Sequence, residues 1–411
     1  MLSRDSEPSP YAGGNDLKSR LSSVPRRRSR SPRGVSLDLT KIERLANSPS
    51  RDEGYTRTYY SYPAKFQAQL PHELINDLTS PGDLVVDPYC GGGTTGLECM
   101  ILGRRFVGYD INPFAIFISK VKTTKLNTHI LTELVSQILA LKNPRQVDVL
   151  DAGDKECLGH EVSREINTII GNIRSINDSD SYKNFFLLAA IHAIKIVGRR
   201  DFIDREDNGA QLQLLSSDDL PEKSSISSLM RKKVQKMLFE MTSLPERRHP
   251  IRFYCASNHR MRQLRTGSVD LIVTSPPYKD VDVEYALLQI QRPHLQRSKR
   301  SSVINRILDM PEPDKLTLCG MRGDDYWANL VPSLREFKRV LKKGSFAIFW
   351  TGFKSDADKC RFQELCEDEG LKLESMLSAR LSDDRVASSR STHHGKETRM
   401  LSHDYLFICR R

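Results

Sequence analysis

The stretch between residues 83 and 110 constrains this chain more than any other. A short apolar run, Asp83-Leu84-Val85-Val86, leads into Asp87-Pro88-Tyr89-Cys90-Gly91-Gly92-Gly93-Thr94-Thr95-Gly96, which opens a helical stretch from Thr94 to Leu102. A second apolar run, Arg105-Phe106-Val107-Gly108-Tyr109, ends at Asp110. Strand, glycine turn, helix and strand within about thirty residues make one βαβ unit of a parallel sheet. Further strands are predicted at Ile251–Cys255, Val269–Thr274, Ser345–Trp350 and Tyr405–Cys409, with a helix at Tyr326–Leu341 before the turn Lys342-Lys343-Gly344. The pattern predicts an α/β fold with a doubly wound, Rossmann-like sheet, whose ligands sit at the carboxyl ends of the strands.

Around this unit the chain changes character. Residues 1–54 carry 11 basic and 7 acidic residues, are rich in Ser, Pro and Arg, and contain VPRRRSRSPRG. Such a segment cannot bury enough surface to offset its ordering entropy, so a disordered basic tail is expected there. Its Arg cluster reads as a nuclear-import signal, a nucleic-acid arm or a solvated linker. Residues 55–126 form the first half of the sheet domain, and Pro113 to about Leu126 fits a crossover helix. Residues 127–250 show helical periodicity in several pieces and read as a helical insert; residues 251–411 supply the second half.

Composition limits the partners and the compartment. A net charge of +11 favours an anionic partner, nucleic acid first. The longest apolar stretch, Phe185 to Val197, is interrupted by His192 and Lys195 and is too short to span a bilayer. Eight scattered cysteines without a C-x-x-C pair argue against a disulfide scaffold or a zinc cluster and for a reducing, intracellular setting. The opening residues lack the apolar core of a secretory signal.

The first chemical signal is G91-x-G93-x-x-G96, directly after a strand and opening a helix. Glycines there let backbone approach a ligand and leave amide N–H groups free at a helix N-terminus. Asp110, ending the next strand, is placed to hold the ribose hydroxyls of an adenosine. A nicotinamide cofactor fits that spacing too. Asp87-Pro88 ahead of the glycines tilts the choice, because a carboxylate aimed at the turn repels a pyrophosphate and suits a cationic ligand. S-adenosylmethionine carries a sulfonium and an ammonium and no phosphate.

The second signal is Leu271-Ile272-Val273-Thr274-Ser275-Pro276-Pro277-Tyr278, a buried strand running into two prolines. Prolines at a strand end fix the backbone and leave carbonyls without an intrachain partner nearby. Those carbonyls and the Ser275 hydroxyl can accept hydrogen bonds from an exocyclic amine, and the Tyr278 ring can stack on a flat base.

Together DPYCGGGTT and TSPPY resemble the amino-methylating DNA methyltransferases, specifically the N4-cytosine type. The segment Tyr62-Pro63-Ala64-Lys65-Phe66 stands where that family has a phenylalanine-bearing, cofactor-side stretch, and Arg339-Val340-Leu341-Lys342-Lys343-Gly344 is similar to its turn before the fifth strand. The resemblance covers roughly Tyr55–Asp110 and Ile251–Arg411. It departs at Asn258, where the family often has an acidic contact to the adenine amino group. It departs again at His403-Asp404, where a glutamate often precedes the final strand, and at Gly91-Gly92-Gly93, which replaces Gly-Ser-Gly.

The resemblance implies a class I methyltransferase sheet and a site-specific enzyme that uses S-adenosylmethionine. Lys65, Phe66, Asp87, Pro88, Gly91, Gly93, Thr94, Thr95 and Asp110 would bind the cofactor. Ser275, Pro276, Pro277 and Tyr278 would act on the base, and no metal is needed. Ser275 favours cytosine by resemblance; an adenine or RNA amino-methyltransferase, or a non-catalytic nucleic-acid-binding protein, remains open. Methylation at carbon 5 would need a thiolate at this strand end. None is present, and Cys255 reads as packing. The DNA is either single-stranded or a duplex whose target base is flipped out at a cost of a few kcal/mol. Phosphate-binding clusters are expected at Arg231-Lys232-Lys233, Arg247-Arg248-His249, Arg260/Arg262/Arg265 and Arg292/Arg297/Lys299/Arg300. His393-His394 reads as a surface pair. A bacterial restriction-modification setting is the family default, and the Arg/Ser-Pro tail keeps a nucleus open.

Overall fold

The computed structural model describes residues 37–48, 54–60, 62, 66–140, 147–203, 225–279, 303–311, 321, 323–380 and 403–411. In chain order the elements are α1 (Leu39–Ala46), α2 (Gln69–Leu78), β1 (Leu84–Asp87), α3 (Thr94–Ile101), β2 (Arg105–Asp110) and α4 (Pro113–Lys122). The helices α5 (Thr128–Ala140), α6 (Ala152–Leu158), α7 (His160–Ser175), α8 (Asp180–Ile203) and α9 (Ile226–Thr242) follow. The chain then forms β3 (Ile251–Cys255), β4 (Val269–Thr274), α10 (Val303–Leu308), α11 (Gly323–Val340), β5 (Leu341–Gly352), α12 (Asp356–Asp368), β6 (Lys372–Arg380) and β7 (His403–Arg410). None of the described helices is long and apolar enough to cross a membrane.

The strands form one seven-stranded sheet in the order β3-β2-β1-β4-β5-β7-β6. Strands β1 to β5 run parallel to one another, while β7 lies antiparallel between β5 and β6. Chain order moves outward from β1 to β3 and resumes on the other side of β1 with β4. The topological switch therefore falls between β1 and β4, where a doubly wound sheet opens its ligand crevice. The fold class expected from sequence is the one observed.

Side-chain alternation divides the core. Val85, Phe106, Leu271 and Ile348 belong to the layer shared with α2, α3, α4 and the helices of the insert. Val86, Val107, Ile272 and Phe349 face the layer built on α11 and α12. The helices of 127–250 share the first of these cores: Tyr59 packs edge-on against Phe185 and donates its hydroxyl to the Met237 carbonyl at 2.8 Å.

Three expectations are corrected. Residues 37–48 were assigned to the disordered tail, yet α1 is capped by Asp38 and buries Leu37, Ile42 and Ala46. Three apolar side chains gain enough from burial, about 1.5–3 kcal/mol for a large one, to order a short helix on a preformed surface. Residues 1–36 lie outside the described residues. The crossover helix ends at Lys122 rather than near Leu126. The turn Lys342-Lys343-Gly344 belongs to β5 itself, where Gly344 at φ +76° accompanies a register shift against β4.

Candidate active site

Both motifs leave the carboxyl ends of neighbouring strands at the switch point. After β1 the chain makes a tight turn through Gly91 and Gly93, both at positive φ, and enters α3. Gly93, at φ +78°, is also sterically required: a Cβ there would lie 2.6 Å from Ser119 Oγ. That hydroxyl donates to the Gly91 carbonyl at 2.8 Å, so α4 braces the loop. Tyr62 covers the other side, and a Cβ on Gly92 would meet it at 2.8 Å.

The two carboxylates at the loop have different roles. Asp110 accepts the Gly91 N–H through Oδ2 at 2.9 Å and the Asn112 N–H through Oδ1 at 2.8 Å. Burial pushes its carboxyl up to about 6. Each oxygen keeps a lone pair for a further donor. Asp87 is 2% exposed, and its oxygens accept the Thr95 and Thr274 hydroxyls, each at 2.6 Å, and the Tyr89 N–H at 3.1 Å. Its carboxyl is likewise raised to about 6 by burial. The sequence expectation that Asp87 faces the ligand is therefore replaced by an organising role, because its bonds tie α3 to the end of β4.

Pro88 is fixed from the second layer. Asn258 is 5% exposed and donates its side-chain N–H to the Pro88 carbonyl at 2.8 Å, while its oxygen accepts the Ser333 hydroxyl at 2.7 Å. The departure at Asn258 is thus a structural substitution that holds the loop. Thr94 and Thr95 begin α3, and Thr95 is spent on Asp87. Phe66 is buried and packs with its ring centroid 6.3 Å from Trp350 of β5. Lys65 lies outside the described residues.

The catalytic candidates follow Thr274 directly. Pro277 offers its carbonyl to the Tyr326 hydroxyl at 2.8 Å, so that acceptor is occupied. Among the described residues the Ser275 hydroxyl and the Pro276 carbonyl take no hydrogen bond. The Tyr278 hydroxyl donates to Asp404 at 3.0 Å, and the Trp350 indole N–H reaches the other oxygen of that carboxylate at 2.9 Å. Asp404 is 1% exposed at the start of β7. In sequence Asp404 stands out only as a departure from the family pattern, and no local signal marks Trp350 or Tyr326, whose contacts here are long-range.

Other expectations change. Cys255 is exposed at the carboxyl end of β3, 3.7 Å from the Ile111 carbonyl, so it is not core packing. Partial burial, with Asp110 nearby, pushes its thiol up, which disfavours a thiolate. Lys233 is buried and donates to the Thr58 carbonyl at 3.0 Å; burial lowers it to about 8. It therefore drops out of the phosphate clusters, whereas Arg231, Lys232, Arg247, Arg248, Arg260, Arg262 and Arg265 are exposed. The 292–300 cluster and His393-His394 lie outside the described residues.

The doubly wound sheet thus brings a glycine loop and a Ser-Pro-Pro-Tyr turn together at the carboxyl ends of the adjacent strands β1 and β4. Residues 16–121 match the N6_N4_Mtase family, DNA methylase, and over that stretch the chain is similar to DNA methylases. The match begins well before Tyr55, the first residue of the motif resemblance. The type II methyltransferase M.MjaII of Methanocaldococcus jannaschii is 34% identical over 106 residues, 26% of this chain and 20% of that protein. M.MvaI of Kocuria varians is 24% identical over 260 residues, 58% of this chain and 56% of that protein. The DNA adenine methyltransferase YhdJ of Escherichia coli is 37% identical over 54 residues, 13% of this chain and 18% of that protein. The matched stretches thus span between about a fifth and just over half the length of these relatives.

Proposed function

We propose that this chain transfers a methyl group from S-adenosylmethionine to the exocyclic N4 amine of cytosine in DNA. The observation that carries the reading is the placement of the glycine loop and the Ser-Pro-Pro-Tyr turn at one switch point, joined by Asp87 between Thr95 and Thr274. The donor set fits the cofactor. Asp110, with a lone pair left on each oxygen, suits a vicinal diol, and the glycine cradle walled by Tyr62 and Ser119 lets the ligand approach the backbone.

S-adenosylmethionine supplies an electrophilic methyl group when bound. The residues of the chain do the rest. Asp110 orients the ribose, and the Gly91–Gly93 backbone lets the ligand approach. A conjugated amine has a delocalised lone pair and attacks only as its nitrogen becomes tetrahedral. The Ser275 hydroxyl and Pro276 carbonyl accept its hydrogens and favour that geometry, while the Tyr278 ring holds the base plane. Bound there, the donor would give its methyl group to the amine nitrogen and leave as a neutral thioether, and the proton lost by the amine would pass to solvent, because Ser275 and Pro276 serve only as hydrogen-bond acceptors. Alignment of this kind supplies about 7–11 kcal/mol.

Adenine N6 is a second reading, favoured by the similarity to a protein named as a DNA adenine methyltransferase. Mass spectrometry of nucleosides after incubation with methyl donor and unmethylated DNA or RNA separates the readings. 4-Methylcytosine in DNA is expected; methylated adenine alone, or a product only in RNA, replaces the proposal.

A further inference from the structure

A cleft of about 380 Å³ lies along the outer edge of β3, between the end of α4 and the start of α8. Its walls bring together Lys120, Arg247 and Arg252 with the polar side chains of Ser181 and Asn184 and the ring of Tyr254, and no carboxylate lines it. Lys120 and Arg252 are exposed and take no ion pair or hydrogen bond through their side chains among the described residues. Arg247 donates one N–H to the Thr123 carbonyl at 2.9 Å, which fixes its guanidinium at the cleft wall. The adjacent Glu246 is turned to Lys125, at 3.4 Å. Three like charges converge here without a counter-charge in the wall. That repulsion is relieved by an anion with several oxygens, and Tyr254 adds an aromatic surface.

We propose that this cleft is a phosphate-backbone site for the DNA substrate, remote from the catalytic turn. The proposal rests on the DNA reading above and adds where the duplex lies. Three strand spacings separate β3 from β4, each ~4.8 Å, and the cleft runs from Tyr254 back to Ile251 and Arg247 at the amino end of β3, so it stands more than ~14 Å from the end of β4. At 3.4 Å per base pair that is at least about four base pairs of flank beyond the target. The cleft therefore grips DNA outside the methylated pair and reads no base.

The test is a variant with Lys120→Gln, Arg247→Gln and Arg252→Gln, assayed for duplex binding across salt concentrations. Each lost phosphate contact should reduce the slope of log affinity against log salt by about 0.9, so a total loss near 2 to 3 is expected. S-adenosylmethionine affinity should not move, which shows that the fold is intact. Wild type on a duplex trimmed to fewer than about four flanking base pairs should show the variant's reduced slope. An unchanged slope, or an equal loss on trimmed and long duplexes, overturns the proposal. So does tight binding of inorganic phosphate or a mononucleotide that requires the three cations while duplex binding does not. Failure of the two readings is separable. Methylation with cleft-independent binding removes only the cleft, and steep cleft-dependent binding with no methylated base removes only the enzymatic reading.

Discussion

Thr274 donates its hydroxyl to Asp87 at 2.6 Å across two parallel strands, and it is the residue immediately before Ser275. The same carboxylate takes the Thr95 hydroxyl from the first turn of α3, so one buried side chain sets the spacing between the glycine loop and the Ser-Pro-Pro-Tyr turn. Hydrogen bonds to a charged group contribute about 1.5–3 kcal/mol each. Thr274→Val and Thr95→Val should each lower stability by that order in denaturant unfolding. They should differ in function: Thr95→Val raises the Kd for the donor, and Thr274→Val lowers kcat with donor affinity largely kept. Identical functional profiles would count against the coupling.

Asp87 and Asp110 both have carboxyls pushed up to about 6 by burial, from an ordinary 3.8. A raised folded value means the folded protein keeps protons that the unfolded chain has released between roughly 4 and 6. These two groups therefore cost stability at neutral pH, and that cost is relieved as pH falls through about 6 toward 4. At 1.36 kcal/mol per unit the cost is about 3 kcal/mol for each. Asp87→Asn should flatten this part of the pH–stability curve. Donor affinity should move the opposite way, falling below about pH 6 as Asp110 gains a proton and loses acceptor capacity. Calorimetric titration across that range checks it, and Asp110→Asn should show no such pH dependence.

Tyr278 is anchored at its hydroxyl, so ring and anchor can be tested apart. Tyr278→Ala removes stacking and should weaken DNA affinity by about 1–3 kcal/mol. Tyr278→Phe keeps the ring and loses only Asp404, and should raise KM severalfold with smaller loss of kcat. Asp404→Asn should resemble it. The pair together should cost less than the sum of the singles, because both remove one contact.

The docking of α1 predicts a contrast within one helix. Ile42→Ala should cost about 2–5 kcal/mol, since Ile42 is fully buried. Lys41→Gln, which breaks partly exposed pairs with Glu73 and Asp77, should cost about 1 kcal/mol or less. Thermal unfolding of the two variants separates a core helix from a loosely attached one.

The central sheet and the two loops were legible because they rest on local signals. A glycine turn between apolar runs and two prolines after a buried strand are written in consecutive residues. What was missed depends on long-range contact. Strand β6 reads Lys372-Leu-Glu-Ser-Met-Leu-Ser-Ala-Arg, too polar and, with a register shift at Leu373/Ser375, too irregular to show a clean period. Helix α1 is flanked in sequence by charged and polar residues, and it packs against α2 and β6. The roles of Asn258 and Asp404 are set by partners 170 and 126 residues away. Asp87 differs for a related reason: its position beside the glycine loop is inferable, but the two threonine hydroxyls that occupy its oxygens are not.

The reversal of β7 determines which end of that strand can serve chemistry. In a parallel sheet every strand begins on the face away from the ligands, so an opening residue never meets the reacting groups. Because β7 runs backwards, its first residues arrive at the ligand face, and Asp404 reaches Tyr278 and Trp350 there. At 3.2–3.4 Å per residue, turning the strand around would carry this carboxylate about 20 Å to the far rim. The antiparallel strand thus works as a delivery device, returning the last portion of the chain to a site begun at β1.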